Sequence, residues 1–161
     1  MKKLVLALML SIASYSGLQA QEVYKEIMKL SKKVADDKSK DIQARKIATF
    51  KVDALNYMAM KMNEQMPDST ISLLDHEAYN MYDFVNLYIK KLSEVKSKKS
   101  KAEILDIFKT ASLQNSRFND FDVDVTEAYI RTEGYITQFS LDTNWGKAIE
   151  QVREELRKRK L

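Results

Sequence analysis

The feature that most constrains this chain is a long apolar repeat between Ile71 and Val95. Apolar residues recur there at alternating steps of three and four, a seven-residue period that lasts just over three heptads. The repeat consists of Ile71, Leu74, Ala78, Met81, Val85, Tyr88, Leu92 and Val95. A helix of this length is roughly 38 Å long, and propensity alone does not stabilise it in water. We therefore expect partner helices to pack around it.

The composition favours helices over sheets. The chain has 161 residues but only three glycines and one proline, whereas a many-stranded sheet needs turn residues at intervals of about 8–12 positions. Hydrophobic residues make up 45% and charged residues 31%, which is ordinary for one folded domain. There is no cysteine, so the fold has no disulfide framework.

The first twenty residues have the pattern of a signal peptide. Two lysines follow the initial Met, an apolar run covers Leu4–Ile12, and Ala20 offers a cleavage site before Gln21. The run is shorter than the about 20 residues that span a bilayer, although an uncleaved anchor or a buried helix is the alternative. We expect residues 1–20 to be removed, residues 21–161 to form a single helical domain, and the protein to be periplasmic or secreted.

Helical periodicity predicts two helices before the repeat, at Glu22–Val34 and Asp41–Gln65. Ser39 or Asp41 can cap the second of them. Its apolar stripe is wide enough to contact more than one neighbour. Met66–Pro67 ends it, so it should form a long antiparallel hairpin with the helix that carries the repeat.

Two more helices are predicted after the repeat. Ser100–Glu103 matches a capping box and predicts a helix that continues to about Leu113. The last helix begins near Trp145, after a cap within Asp142–Asn144. It carries a clean apolar stripe.

The stretch between these two helices is less regular. A short helix is predicted at 124–132, and Phe118 and Phe121 are expected to pack the connection against the bundle. Residues 135–141 alternate like a strand but have no partner strand, so we interpret them as an irregular or helical connection. The predicted fold is all-α: an up-and-down bundle of four main helices plus one or two short ones.

Three methionines raise the question of a soft metal site. Met58, Met62 and Met66 are spaced by four on one helix face, and thioethers select Cu(I). Methionine also fills gaps in hydrophobic cores, and Met62 and Met66 already belong to the apolar stripe. Core packing is the favoured interpretation, with a ligand or Cu(I) carrier that uses this face or the bundle interior as the alternative.

The one histidine completes no catalytic motif. His76–Glu77 begins a helical zinc-protease motif, but Asn80 occupies the position of its second histidine. No nucleophile motif accompanies it. We therefore expect no catalytic residues, and no enzyme.

An alternating acidic row resembles the start of a calcium loop. It consists of Asp120, Asp122 and Asp124, but Val125 occupies the position of the required glycine and Arg131 that of the glutamate. We interpret the row as solvated carboxylates and a helix cap. The sequence predicts no metal site and no cofactor.

Two basic runs, within residues 90–101 and 153–160, are expected at the C-terminal ends of helices, where cations interact favourably with the helix dipole. The alternative is contact with an anionic surface, such as lipid head groups or lipopolysaccharide phosphates. The chain has 27 basic and 23 acidic residues, and this small excess predicts no nucleic-acid partner.

Two segments, Lys46–Leu55 and Ile136–Asp142, resemble small exported helical proteins of Gram-negative gut-type bacteria. The resemblance implies an exported location and brings no activity or site residues with it. From the residues themselves, we expect a non-enzymatic helical module without a membrane span. It would bind a protein partner or associate with itself through the wide stripe and through aromatic residues such as Tyr79 and Tyr82.

Overall fold

The computed structural model describes residues 23–68, 71–120 and 138–161, and all regular structure within these ranges is helical. Five helices follow one another: α1 (Val23–Asp36), α2 (Ile42–Gln65), α3 (Ile71–Glu94), α4 (Lys98–Gln114) and α5 (Trp145–Arg159). The predicted all-α bundle is confirmed. The signal peptide, the short helix at 124–132 and Phe121 lie outside the described residues.

The central element is α3, which packs against each of the other four helices. Ala78, Met81 and Val85 of its predicted repeat are fully buried, and Tyr88 is 2% exposed. Phe84 does not belong to the repeat, yet it is also fully buried. A helix surrounded on several sides buries more than one stripe, and a single heptad pattern underestimates its core face.

The wide stripe of α2 serves two neighbours, as predicted. This helix packs against α1 and α3, and its contact with α1 is the more extensive. It runs antiparallel to α3, since a short connection joins the two and Lys51 in its first half bonds to Asn86 in the second half of α3. The stripe is therefore covered within one chain.

The middle of the core is a cluster of aromatic rings contributed by every part of the bundle except α1. Phe84 makes edge contacts with Phe108, Phe139 and Trp145 at centroid distances of 5.1, 5.1 and 5.3 Å. Phe50 joins from α2, with its ring 5.9 Å from that of Phe139. Edge-to-face pairs add about 0.5–1.5 kcal/mol beyond the burial of their apolar area, so this cluster is a main source of stability.

Two of the predicted helix caps are confirmed. Asp41 Oδ1 accepts hydrogen bonds from the backbone N–H groups of Gln43 and Ala44 at the start of α2. Asn144 Oδ1 accepts one from Lys147 at the start of α5. Both caps satisfy donors that the first helical turn leaves without a partner.

The predicted start of α4 is wrong by about one turn. Ser97, not Ser100, is the cap, and its Oγ accepts a hydrogen bond from Ser100 N at 3.0 Å. Ser97 precedes Ser100 by the three positions that a hydroxyl cap requires, so the helix can begin earlier than the capping box indicated. As a result, Lys98 and Lys99 lie in the first turn of α4, together with Lys101, rather than before it.

Truncating the central ring tests this account of the core. We expect Phe84→Ala to lower the free energy of unfolding by about 3–5 kcal/mol, because the substitution leaves a cavity between four elements. Tyr79→Ala is the matched control on the same helix, since Tyr79 is 53% exposed and its loss should cost about 0.5 kcal/mol or less. Urea unfolding measures both, and equal losses would contradict the proposed core.

Candidate functional site

The methionine face lies in the core. Met58 is fully buried within the main hydrophobic cluster, and Met62 is 4% exposed. Met66 terminates α2, where its backbone N–H bonds to the carbonyl of Met62. Two of the three thioethers are thus used for packing, which supports the core interpretation and gives the Cu(I) alternative no geometric support.

Within the described ranges, the polar candidates do not assemble into a metal or catalytic centre. His76 is exposed, and its ring Nδ1 lies 3.1 Å from the side-chain amide of Asn80. Asp120 accepts a hydrogen bond from the Tyr57 hydroxyl at 2.9 Å and pairs with Lys61 at 2.8 Å. Asp122 and Asp124 lie outside the described residues. Within the described ranges, no group of three or more His, Cys, Asp or Glu residues could hold a metal ion.

Asp142 has several hydrogen-bond partners among the described residues, although its sequence context indicated only a helix cap. Its buried carboxylate accepts hydrogen bonds from the backbone N–H groups of Arg117, Phe118 and Asp120 and from the Ser116 hydroxyl. The N–H–carboxylate distances are 2.8–3.0 Å. One side chain thereby folds the turn after α4 and attaches it to the segment before α5.

Two neighbouring contacts reinforce this junction. Ser112 Oγ lies 2.8 Å from Thr143 Oγ1 and accepts a hydrogen bond from Ser140 N, all in the interior. Glu77 on α3 is 3% exposed and accepts a hydrogen bond from Trp145 N at 2.8 Å. It also pairs with Arg117 at 3.0 Å. The contacts satisfy the Glu77 carboxylate and the hydroxyls of Ser112 and Thr143, and we assign the junction a structural role. Arg117 Nε and Trp145 Nε1 are buried and have no hydrogen-bond partner among the described residues.

Among the described residues, Lys51 has an ammonium with a strongly perturbed pKa. It is 4% exposed, and burial lowers the pKa of its ammonium from 10.5 to about 7. Nζ donates to Asn86 Oδ1 at 2.9 Å and lies 4.2 Å from the centre of the Tyr82 ring. A neutral lysine amine can act as a nucleophile, but this one is enclosed between α2 and α3 and a substrate does not reach it.

The two basic runs converge on one corner of the bundle. α4 and α5 are antiparallel: Asn144 N, before α5, bonds to the carbonyl of Asn115, just after α4, and Arg159 at the far end of α5 pairs with Glu103. The Arg159–Glu103 contact is 3.6 Å long. We name residues 96–103 and 157–160 the basic corner.

Most of the cations in the basic corner form no ion pair with the described residues. Lys158 pairs with Glu154 and Glu155, and Arg159 pairs with Glu155 and Glu103. Among the described residues, the other six exposed cations form no side-chain ion pair. They are Lys96, Lys98, Lys99, Lys101, Arg157 and Lys160.

The charge of the chain is strongly asymmetric. The basic corner contains eight of the 27 basic residues but only one of the 23 acidic residues. The rest of the chain therefore carries more acidic than basic residues. Such an uneven distribution produces a positive potential over one end and orients the molecule towards anionic partners.

Helix-dipole stabilisation accounts for only one half of this corner, which corrects the expectation from sequence. The cations of α5 lie in its last turn, where the dipole favours them. The lysines of α4 lie in its first turn, where the dipole disfavours cations by about 0.3–1 kcal/mol each. Their presence there is not explained by helix stability.

Lys160 also occupies a position that its residue type disfavours. It has a φ of 56° and ends α5 in the left-handed conformation. The N–H of Lys160 bonds to the carbonyl of Arg157 and that of Leu161 to the carbonyl of Leu156, the pattern that glycine usually completes. A non-glycine residue in this conformation costs about 1–2 kcal/mol.

Comparison with protein families, with curated proteins and with solved structures finds no match to this chain. In the described ranges, no helix is both long and apolar enough to cross a membrane. The resemblance to exported helical proteins stays a prediction. The basic corner is the candidate site that the geometry itself defines.

The Asp142 junction is tested by removing its carboxylate. We expect Asp142→Ala to lower the free energy of unfolding by about 2–3 kcal/mol, because four buried or half-buried donors lose a charged acceptor. Asp106→Ala, on the exposed side of α4, is the control and should change it by about 0.5 kcal/mol or less. Chemical denaturation distinguishes the two, and a loss no larger than that of the control would refute this role.

Lys51 gives the stability a specific pH dependence. Between about pH 7 and pH 10 the unfolded chain protonates this amine and the folded chain does not, so stability rises with pH by up to about 1.4 kcal/mol per unit. Below pH 7 the amine is protonated in both the folded and the unfolded chain, so the folded state is destabilised by the full cost of burying the ammonium.

The measurement compares the free energies of unfolding of Lys51→Met and the parent chain in urea at several pH values. The control is Lys32→Met, which replaces an exposed lysine of α1. The gain in the free energy of unfolding of Lys51→Met over the parent chain should be greatest below pH 7 and should decrease towards pH 10. A difference that does not depend on pH would contradict the assignment.

Proposed function

We propose that this protein is an exported, non-enzymatic binding module that recognises an anionic partner through its basic corner. The observation that carries the proposal is a set of six exposed cations, from two distant parts of the sequence, that form no ion pair with any described residue. Three of them lie in the first turn of α4 against the helix dipole. A binding role explains cations that cost stability where they are.

Other features support this assignment over self-association through the apolar stripe. Phe50, Leu55 and Met58 of that stripe are fully buried within one chain. The exposed large hydrophobic residues of the described ranges are separate in sequence: Ile42, Met60, Tyr79 and Leu113. Single exposed apolar side chains are normal on a monomer and do not define an interface.

The exported location is part of the proposal and depends on the first twenty residues. Two lysines, an apolar run and a small residue before Gln21 are typical of a secretory signal.

The test is a titration of the fluorescently labelled mature chain, beginning at Gln21, with two soluble polyanions, inorganic polyphosphate and poly-glutamate. Fluorescence anisotropy reports binding. The corner variant replaces Lys96, Lys98, Lys99 and Lys101 with Gln. The matched control replaces four exposed lysines of α1 with Gln, so that both variants have the same net charge: Lys25, Lys29, Lys32 and Lys33.

We expect the parent and the control to bind with similar affinity and the corner variant to bind at least tenfold more weakly, with the difference reduced by salt. Equal weakening of both variants would mean that net charge, not a site, governs binding. A parent chain that binds neither polyanion at low salt, and no anionic lipid vesicle either, would refute the proposed function.

A further inference from the structure

We infer that the anionic partner is a membrane surface, and that the basic corner docks on the phosphate groups of anionic lipid head groups. This inference rests on the proposed function and specifies its partner. Three independent features of the basic corner carry it: the type of cation, the absence of apolar anchors and the position of the cations at the ends of two helices.

The exposed cations that pair with no described residue are mainly lysines. Five of the six are lysine and one is Arg157. Arginine recognises carboxylate or phosphate through a planar, bidentate fork, whereas lysine is a point charge on a flexible stem. A group of lysines suits a partner whose charges are dense and mobile. Lipid phosphates in a bilayer have this property, while the fixed carboxylates of a folded acidic protein do not.

The basic corner has no apolar anchor. Protein interfaces derive most of their binding energy from buried aromatic, apolar and arginine residues, and lysine is depleted in them. In the described part of the chain, the exposed large hydrophobic residues all lie outside residues 96–103 and 157–160. Exposed aromatic rings, which would stack on the bases of a single-stranded nucleic acid, are likewise missing from these two segments.

The position of the cations suits a flat surface. Lys98, Lys99 and Lys101 lie within roughly 8 Å of Glu103 along the axis of α4, and Glu103 contacts Arg159 at the end of α5. Two antiparallel helices therefore present their charged ends side by side. An excess of acidic residues over the rest of the chain favours an orientation with the basic corner towards the membrane.

The experiment is co-sedimentation of the mature chain with two kinds of vesicle, phosphatidylcholine alone and phosphatidylcholine mixed with phosphatidylglycerol. The corner variant and the α1 control variant are measured in parallel. Each lysine near an anionic surface strengthens binding about fivefold, so the four substitutions of the corner variant should weaken it by about a hundredfold or more. The control should stay close to the parent.

Lys160→Gly separates binding from folding. Glycine relieves the left-handed conformation at this position, so we expect the variant to melt at a higher temperature than the parent. It should nevertheless bind phosphatidylglycerol vesicles about fivefold more weakly, because it has lost one corner charge. If the variant is more stable than the parent and yet binds the vesicles more weakly, unfolding cannot be the cause of the weaker binding.

The inference is supported if the parent sediments with the phosphatidylglycerol vesicles, remains in solution with phosphatidylcholine alone, and is released by salt. It is overturned if the chain binds polyphosphate or poly-glutamate but neither vesicle, a result that leaves the proposed function intact. It is also overturned if the α1 control loses vesicle binding as completely as the corner variant. Failure to bind any of these anions would overturn both proposals.

Discussion

The fold depends on the burial of Phe84 at the point where α3 meets its neighbours. Its ring has edge contacts with rings from α4, α5 and the segment before α5. The helices α4 and α5 each have a polar outer face and one apolar side, so neither would be stable alone in water. Packing around a shared ring makes their stabilities interdependent. Distant parts of the chain are thereby placed in fixed positions relative to one another.

The basic corner is a consequence of that arrangement. Asp142 and Glu77 fix the start of α5 against the end of α4 and the side of α3. Because α4 and α5 are antiparallel, fixing one pair of ends also determines where the other pair meets. Arg159 consequently lies beside Glu103, and two lysine-rich segments more than fifty residues apart in sequence become one surface. The junction is structural, and the corner it positions is the proposed functional surface.

Periodicity and caps predicted the helical elements well, because both are local properties of the sequence. The repeat of α3, the cap Asp41 and the cap Asn144 needed only neighbouring residues for their interpretation. Asp142 was missed as a junction because its partners lie 22–26 positions earlier. Phe84 was missed because a heptad describes one face, and α3 buries several.

The candidate site was visible only in part. Both basic runs were recognised from composition, and contact with an anionic surface was kept as the alternative to helix-dipole stabilisation. Their convergence depends on the antiparallel packing of α4 and α5, which no local pattern encodes. Because the start of α4 was predicted one turn too late, Lys98 and Lys99 were placed before the helix. Their unfavourable interaction with the dipole of α4 was therefore not foreseen. The burial of Lys51 was also not predicted, because it depends on which face of α2 packs against α3.

The most direct test of the central claim is to map the binding surface itself. Amide chemical shifts of the isotope-labelled mature chain would be followed while small phosphatidylglycerol-containing bicelles are added. The account predicts that the largest shift changes and line broadening fall within residues 96–103 and 157–160, and that the amides of α1 remain nearly unchanged. Changes concentrated on α1, or spread evenly over all five helices, would contradict the assignment of the basic corner as the recognition surface.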